Sequence, residues 1–123
     1  MRHPDEPPAP EALRVVLCNA PDEAAVQIAE ALVTESLAAC VNLVGPVRSV
    51  YRWEGAVQHD TETTLLVKTT ADGVAAVTAR IVALHPYSLP EVIALPVAPG
   101  EGHAPYLAWV CAQVRRSTGV NIP

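Results

Sequence analysis

From Cys40 to Thr70 the chain reads as two strands of about fourteen residues each, joined at Glu54-Gly55. The first arm is rich in Val and ends in Ser49-Val50-Tyr51-Arg52-Trp53. Gly45-Pro46 interrupts it, which predicts a bulge or an edge position. The second arm runs from Val57 to Thr70, with Leu65-Leu66-Val67 as its most buried part. No other apolar stretch in the chain can match such strands in length. Arg14 to Asn19 and Val92 to Leu95 are the remaining strand candidates, and they hold only four to six residues. At roughly 3.3 Å per residue, the hairpin must overhang its sheet by several residue pairs. An overhang carrying Val, Tyr and Trp exposes unpaired edges and apolar area unless another chain covers it.

The helical segments lie between these strands. Pro21-Asp22-Glu23 starts a helix with acids in its first turn, and Ala25, Ile28, Ala29, Leu32 and Val33 carry the helical spacing to about Ser36. Asp72 to about Leu84 is a second helix, with the stripe Val74, Val77, Ile81 and Leu84. Pro105 opens a final helix that runs to about Ser117, with Gly119 beyond its end. The order is βαββαβ plus a helix, the split βαβ pattern of an α+β domain. Right-handed crossovers leave one compact arrangement, with the strands in spatial order fourth, first, third, second. The end of the first strand, at Cys18, then lies beside Glu91, and His85 emerges at the same edge. Lys68 falls at the opposite edge of the same protomer.

Residues 1–12 are Pro-rich without an apolar core and read as a disordered tail, leaving 13–123 as one domain. The net charge of −5 excludes a nucleic-acid binder, which needs clustered Lys and Arg; Arg115-Arg116 suits a helix end instead. No apolar run reaches membrane length. Three distant cysteines without a Cys-x-x-Cys form neither a disulfide framework nor a zinc ribbon, and fit reduced thiols in a cytosolic protein. There is no Gly-x-Ser-x-Gly and no phosphate loop, so an enzyme is not expected.

Several motifs now stand in order: Ala20-Pro21-Asp22; Leu37-Ala38-Ala39-Cys40-Val41-Asn42; Ser49 to Gly55 with its Tyr-Arg-Trp-Glu-Gly; Lys68-Thr69-Thr70; His85-Pro86-Tyr87; Pro90-Glu91 running into Ala94-Leu95-Pro96; and Tyr106-Leu107-Ala108-Trp109. In this the chain resembles the CutA family of divalent-cation tolerance proteins, from roughly Val15 to Arg116. The resemblance implies a ferredoxin-like subunit in a tight homotrimer, similar in architecture to the PII signalling proteins. It also implies a link to copper and other divalent metals. Copper ligation in some bacterial members is assigned to a cysteine matching Cys18 and to histidines before a Pro-Tyr. This chain keeps His85 but has Leu84 where those members have a second histidine.

Two candidate sites follow. Cys18, His85 and Glu91 are a candidate set for copper or zinc, whose softness suits thiolate and imidazole. The competing reading makes Cys18 a core residue and His85 a helix cap. Tyr51, Trp53, Lys68, Tyr87, Tyr106 and Trp109, with Glu91, are candidates to line a pocket between subunits for a small polar molecule. Their competing reading is interface packing with a buried Lys-Glu pair. Cys40 and Cys111 read as small core residues, His3 and His103 as solvated, and His59 and Asp60 as pointing to opposite faces. The expected function is a trimeric, cytosolic, metal-responsive protein that needs no metal to fold. The alternative is a PII-like small-molecule sensor, or a scaffold for a partner protein.

Overall fold

The computed structural model describes residues 12–116. Strand β1 (Leu13–Ala20) leads through Pro21 into helix α1 (Asp22–Thr34), whose buried residues Ala25, Ile28, Ala29 and Leu32 follow one helical stripe. The helix stops where Ser36 takes a left-handed φ of 60°. The Ser36 N–H donates to the Val33 carbonyl and the Leu37 N–H to the Leu32 carbonyl, at 3.0 and 2.9 Å. This double closure satisfies the last carbonyls and drops Leu37 into the core, 4% exposed.

Strands β2 (Cys40–Trp53) and β3 (Ala56–Thr70) form the long hairpin, turned by Glu54 and Gly55 with φ of 51° and 80°. Positive φ at both turn positions matches the twist of a tight hairpin. The register shifts between Val44 and Val47, so the Gly45-Pro46 interruption is a bulge. Helix α2 (Val74–Leu84) follows, then β4 (Ile93–Pro96) and helix α3 (Ala104–Gln113). The sheet order is β2-β3-β1-β4 with β1 antiparallel to both neighbours, the arrangement expected from the crossover rule.

Several boundaries move, by one or two residues at most elements and further at the end of α3. Helix α2 begins at Val74 because the Gly73 N–H turns back onto the Thr70 carbonyl and hydroxyl. Strand β4 sits one residue later because Val92 packs on the helix-side core. Helix α3 ends at Gln113, short of the expected Ser117: Val114 turns extended, 7% exposed, and the Arg115 N–H donates to the Ser36 carbonyl at 2.9 Å. Burial of Val114 and that bond replace a further helical turn. Ser117, Gly119 and the expected tail, save Ala12, lie outside the described residues.

The main core lies between one sheet face and helices α1 and α2. Val16, Cys18, Leu65, Val67, Ile28, Leu32, Val77 and Ile81 are fully buried there. A smaller cluster of Leu13, Ala39, Val110 and Val114 fastens α3 to one end of the sheet. The other sheet face carries Leu17, Leu66, Ile93 and Leu95, and the last two are 51% and 46% exposed. Beyond Thr63, β3 has no β1 partner, while the pairs Val47↔Glu62 to Trp53↔Ala56 continue the hairpin. These seven pairs project about 20 Å past the sheet.

Candidate functional site

The corner where β1 ends is organised by Asn19. Its carbonyl accepts a hydrogen bond from His85 Nε2 at 2.8 Å and a weaker one from the Cys18 thiol at 3.8 Å. Its side-chain oxygen accepts from the Thr64 hydroxyl at 2.5 Å, and its Nδ2 donates to Glu91 at 3.2 Å. One residue thereby ties together β1, β3, the end of α2 and the start of β4.

His85 follows from the end of α2, where its own N–H still donates to Ile81. Pro86 ends the helical run, and the ring turns inward, 8% exposed. The Tyr87 N–H donates to His85 Nδ1 at 3.1 Å. With Nδ1 accepting, the proton sits on Nε2 and points to Asn19. Both ring nitrogens are therefore engaged. The Tyr87 ring lies 4.6 Å from the imidazole, and its hydroxyl donates to Glu62 Oε2 at 2.9 Å. Burial and the Glu62 carboxylate push the Tyr87 phenol up to about 12.

Cys18 alternates with Leu17 along β1 and so faces the helices, with no exposed surface. Burial first, then the Glu91 and Glu62 charges, push its thiol up to about 12. Cys18, His85 and Glu91 thus meet at one residue but not at one point: a buried neutral thiol, an imidazole without a spare lone pair, and a carboxylate on the outer side. This arrangement does not fit a metal ion as it stands. Among the described residues no group of three or more His, Cys, Asp or Glu side chains is placed to hold one.

Outside this corner a cleft of about 650 Å³ opens between the hairpin overhang and the 87–91 loop. Tyr51, Trp53, Tyr87 and Glu91 line it, together with Arg52, Asp60 and Glu62. Tyr51 donates to Asp60, and that bond is the main cause holding its phenol above the ordinary range. Lys68, Tyr106 and Trp109 lie elsewhere in the protomer. The Lys68 ammonium is at the other end of β3, where within the protomer it donates to Asn42 and lies 3.9 Å from Cys40 Sγ. Tyr106 and Trp109 stack on α3 with centroids 5.6 Å apart.

Asn19, Asp60 and Glu62 line this candidate site and were not among the candidates read from the sequence. A signal existed for the acids: positions 60 and 62 alternate on one strand and so share a face. None existed for Asn19, whose role depends on three distant elements meeting at β1.

Comparison with known proteins agrees with this architecture. The family model described as CutA1 divalent ion tolerance protein matches residues 14–113. A divalent-cation tolerance protein CutA of Thermus thermophilus is 50% identical over 106 residues, covering 85% of this chain and 97% of the relative. The crystal structure of CutA1 from Oryza sativa aligns with a TM-score of 0.83 at 41% identity, over 88% of this chain and 98% of that one. A structure from Nostoc, described as a PII-like protein CutA in apo form, aligns at 0.80 and 37% identity, over 84% and 98%. With its long hairpin, its ferredoxin-like sheet and these matches, the chain belongs to the CutA1 divalent ion tolerance family.

Proposed function

We propose that this protein works as a cytosolic homotrimer that senses a small ligand in the cleft between the hairpin overhang and the 87–91 loop, without catalysing a reaction on it. The cleft carries the reading: about 650 Å³ walled by aromatic rings and carboxylates, a size and lining suited to a small molecule. The PII-like description of the Nostoc relative supports a sensing role. The trimer rests on the overhang, where Val50 and Val57 are 63% and 56% exposed, and on the bare sheet face at Ile93 and Leu95. Copies of the same chain cover such edges most simply. The cytosol suits three cysteines that remain thiols.

Two measurements test this reading. Light scattering is expected to give three times 13.0 kDa, and a mass of one chain at micromolar concentration ends the trimer. A thermal-shift screen of metals, nucleotides, organic acids and amines is expected to yield at least one small molecule that raises the melting point by mass action. That shift should vanish in Trp53→Ala.

A second reading keeps a divalent metal, copper or zinc, at the Asn19 corner. Its support is that Cys18, His85 and Glu91 all touch Asn19 or adjoin it. It requires the Cys18 side chain to leave the core and His85 to release a bond. Copper titration decides it. Cys18→Ala and His85→Ala should each lose affinity, and wild-type binding should weaken as pH falls and the ligands protonate. Equal binding by all three proteins ends this reading.

A further inference from the structure

Past Thr63, which pairs with Ala20 of β1, the hairpin loses its neighbour and continues as two strands alone, from Val47↔Glu62 to Trp53↔Ala56. A two-stranded ribbon is marginally stable by itself in water. It also leaves the sheet at the bulge between Val44 and Val47, and a bulge is where a strand bends and its pairing is interrupted. With an overhang about 20 Å long, a tilt of about 10° at the bulge would carry its tip by about 3.5 Å. That is close to a full side-chain contact distance. A surface that another copy must match therefore needs something to hold this angle.

Among the described residues, Tyr87 is the one side chain from outside the hairpin that hydrogen-bonds to residues 47–62; the bond from Tyr51 to Asp60 stays within the hairpin. The Tyr87 hydroxyl donates to Glu62 Oε2 at 2.9 Å, at the first pair beyond the bulge. Glu62 is 8% exposed, so water competes little for that bond. Burial and the Glu62 carboxylate push the phenol up to about 12, and the hydroxyl keeps its proton at neutral pH. The other end of this contact is fixed to the body of the domain. The Tyr87 N–H donates to His85 Nδ1, the two rings lie 4.6 Å apart, and His85 Nε2 donates to the Asn19 carbonyl of β1. Pro86 and Pro90 restrict the backbone on either side of Tyr87. The contacts Asn19–His85–Tyr87–Glu62 thus run from the sheet to the overhang and bypass the bulge.

We propose that Tyr87 is a positioning residue for assembly: its hydroxyl braces the hairpin at Glu62 and sets the angle at which the overhang is offered to a second copy of this chain. Holding the angle in advance spares the assembly the entropy of ordering a loose arm. The role in assembly rests on the trimer reading, whereas the brace is a property of one chain.

Tyr87→Phe tests this, because it removes the hydroxyl alone and leaves a ring to pack on His85. The full chain is followed by amide hydrogen exchange in its native assembly and by light scattering on dilution. Loss of one bond to a charged group should speed exchange at residues 47–62 by about tenfold and leave 13–20 and 63–70 unchanged. The concentration at which the assembly falls apart should rise by about the same factor. Glu62→Gln keeps an acceptor oxygen and should stay within about threefold of wild type, whereas Glu62→Leu should match Tyr87→Phe. Combining Tyr87→Phe with Glu62→Leu should add nothing to either change alone. Unchanged exchange at 47–62 in Tyr87→Phe overturns the brace, as does faster exchange spread evenly over the sheet. Glu62→Gln behaving like Glu62→Leu, or additive losses in the double variant, overturn it too. Faster local exchange with an unchanged dissociation midpoint overturns the role in assembly. If the wild type itself scatters as a single chain, the trimer reading falls and the role in assembly with it, while exchange at 47–62 still decides the brace.

Discussion

Cys18 shows how one side chain's direction decides its chemistry. Had it faced the open side of β1, beside Glu91, it would be an accessible soft ligand. Facing the helices, it is a neutral packing residue whose thiol is raised to about 12. That shift has a consequence for stability. The folded state holds the Cys18 proton more tightly than the unfolded chain, whose thiol titrates near 9.0. The stabilisation is therefore fully present below pH 9 and is lost as pH rises toward 12. Urea melts at increasing pH should show stability falling across this window, by at most about 1.4 kcal/mol per pH unit from this group. Cys18→Ala should flatten that slope, although it lowers stability at pH 7 by opening a small cavity. An unchanged slope would place the thiol in solvent. His85 is a fastener in the same sense: its two nitrogens join β1 to the loop that carries Tyr87 into the cleft.

At the scale of elements, the bulge in β2 sets where the hairpin leaves the sheet. Gly45 lies so close to β3 that a Cβ there would stand 2.9 Å from Thr63 Oγ1 and 3.4 Å from the Glu62 carbonyl oxygen. Thr63 cannot easily give way, because its hydroxyl donates to Asp22 at 2.8 Å and the residue is 4% exposed. Gly45→Ala should therefore cost about 1–3 kcal/mol, measured as a lower urea midpoint. It should also displace Glu62 and with it the Tyr87 contact. A neutral result would mean that the bulge tolerates a side chain and that the strand approach there is slack. The final helix shows tertiary contact overriding local preference. Its pattern permits another turn, but burying Val114 and bonding Arg115 to Ser36 end it at Gln113.

For the whole molecule, the main question is what would hold the proposed trimer together. The overhang exposes Val50, Tyr51, Trp53 and Val57. Covering them supplies association energy at roughly 25 cal/mol per Å² of apolar area, before entropy costs. Trp53→Ala should therefore weaken the proposed trimer more than Cys18→Ala does, read as dissociation on dilution over a sizing column. Treatment with a strong chelator should leave the elution volume unchanged. Dissociation on chelation would make a metal structural and would displace the overhang as the source of assembly. No helix among the described residues is long and apolar enough to cross a membrane.

The strand order and the long hairpin were legible in the sequence because they follow from local periodicity, chain length and crossover handedness. The meeting of Cys18, His85 and Glu91 was legible for the same reason, since topology alone brings their backbones to one edge. Tyr51, Trp53 and Tyr87 stood out as candidates because aromatics are rare in this chain, and all three line the cleft. What the tertiary structure alone decided is where side chains point and what they touch. Within one protomer it turned Cys18 inward, engaged both nitrogens of His85, set Lys68 on Asn42, and placed Tyr106 and Trp109 on α3, apart from the lining of the cleft. It also brought Asn19 and Glu62 into the site. These outcomes depend on strand register and on contacts between residues 25 to 72 positions apart, which no local pattern records.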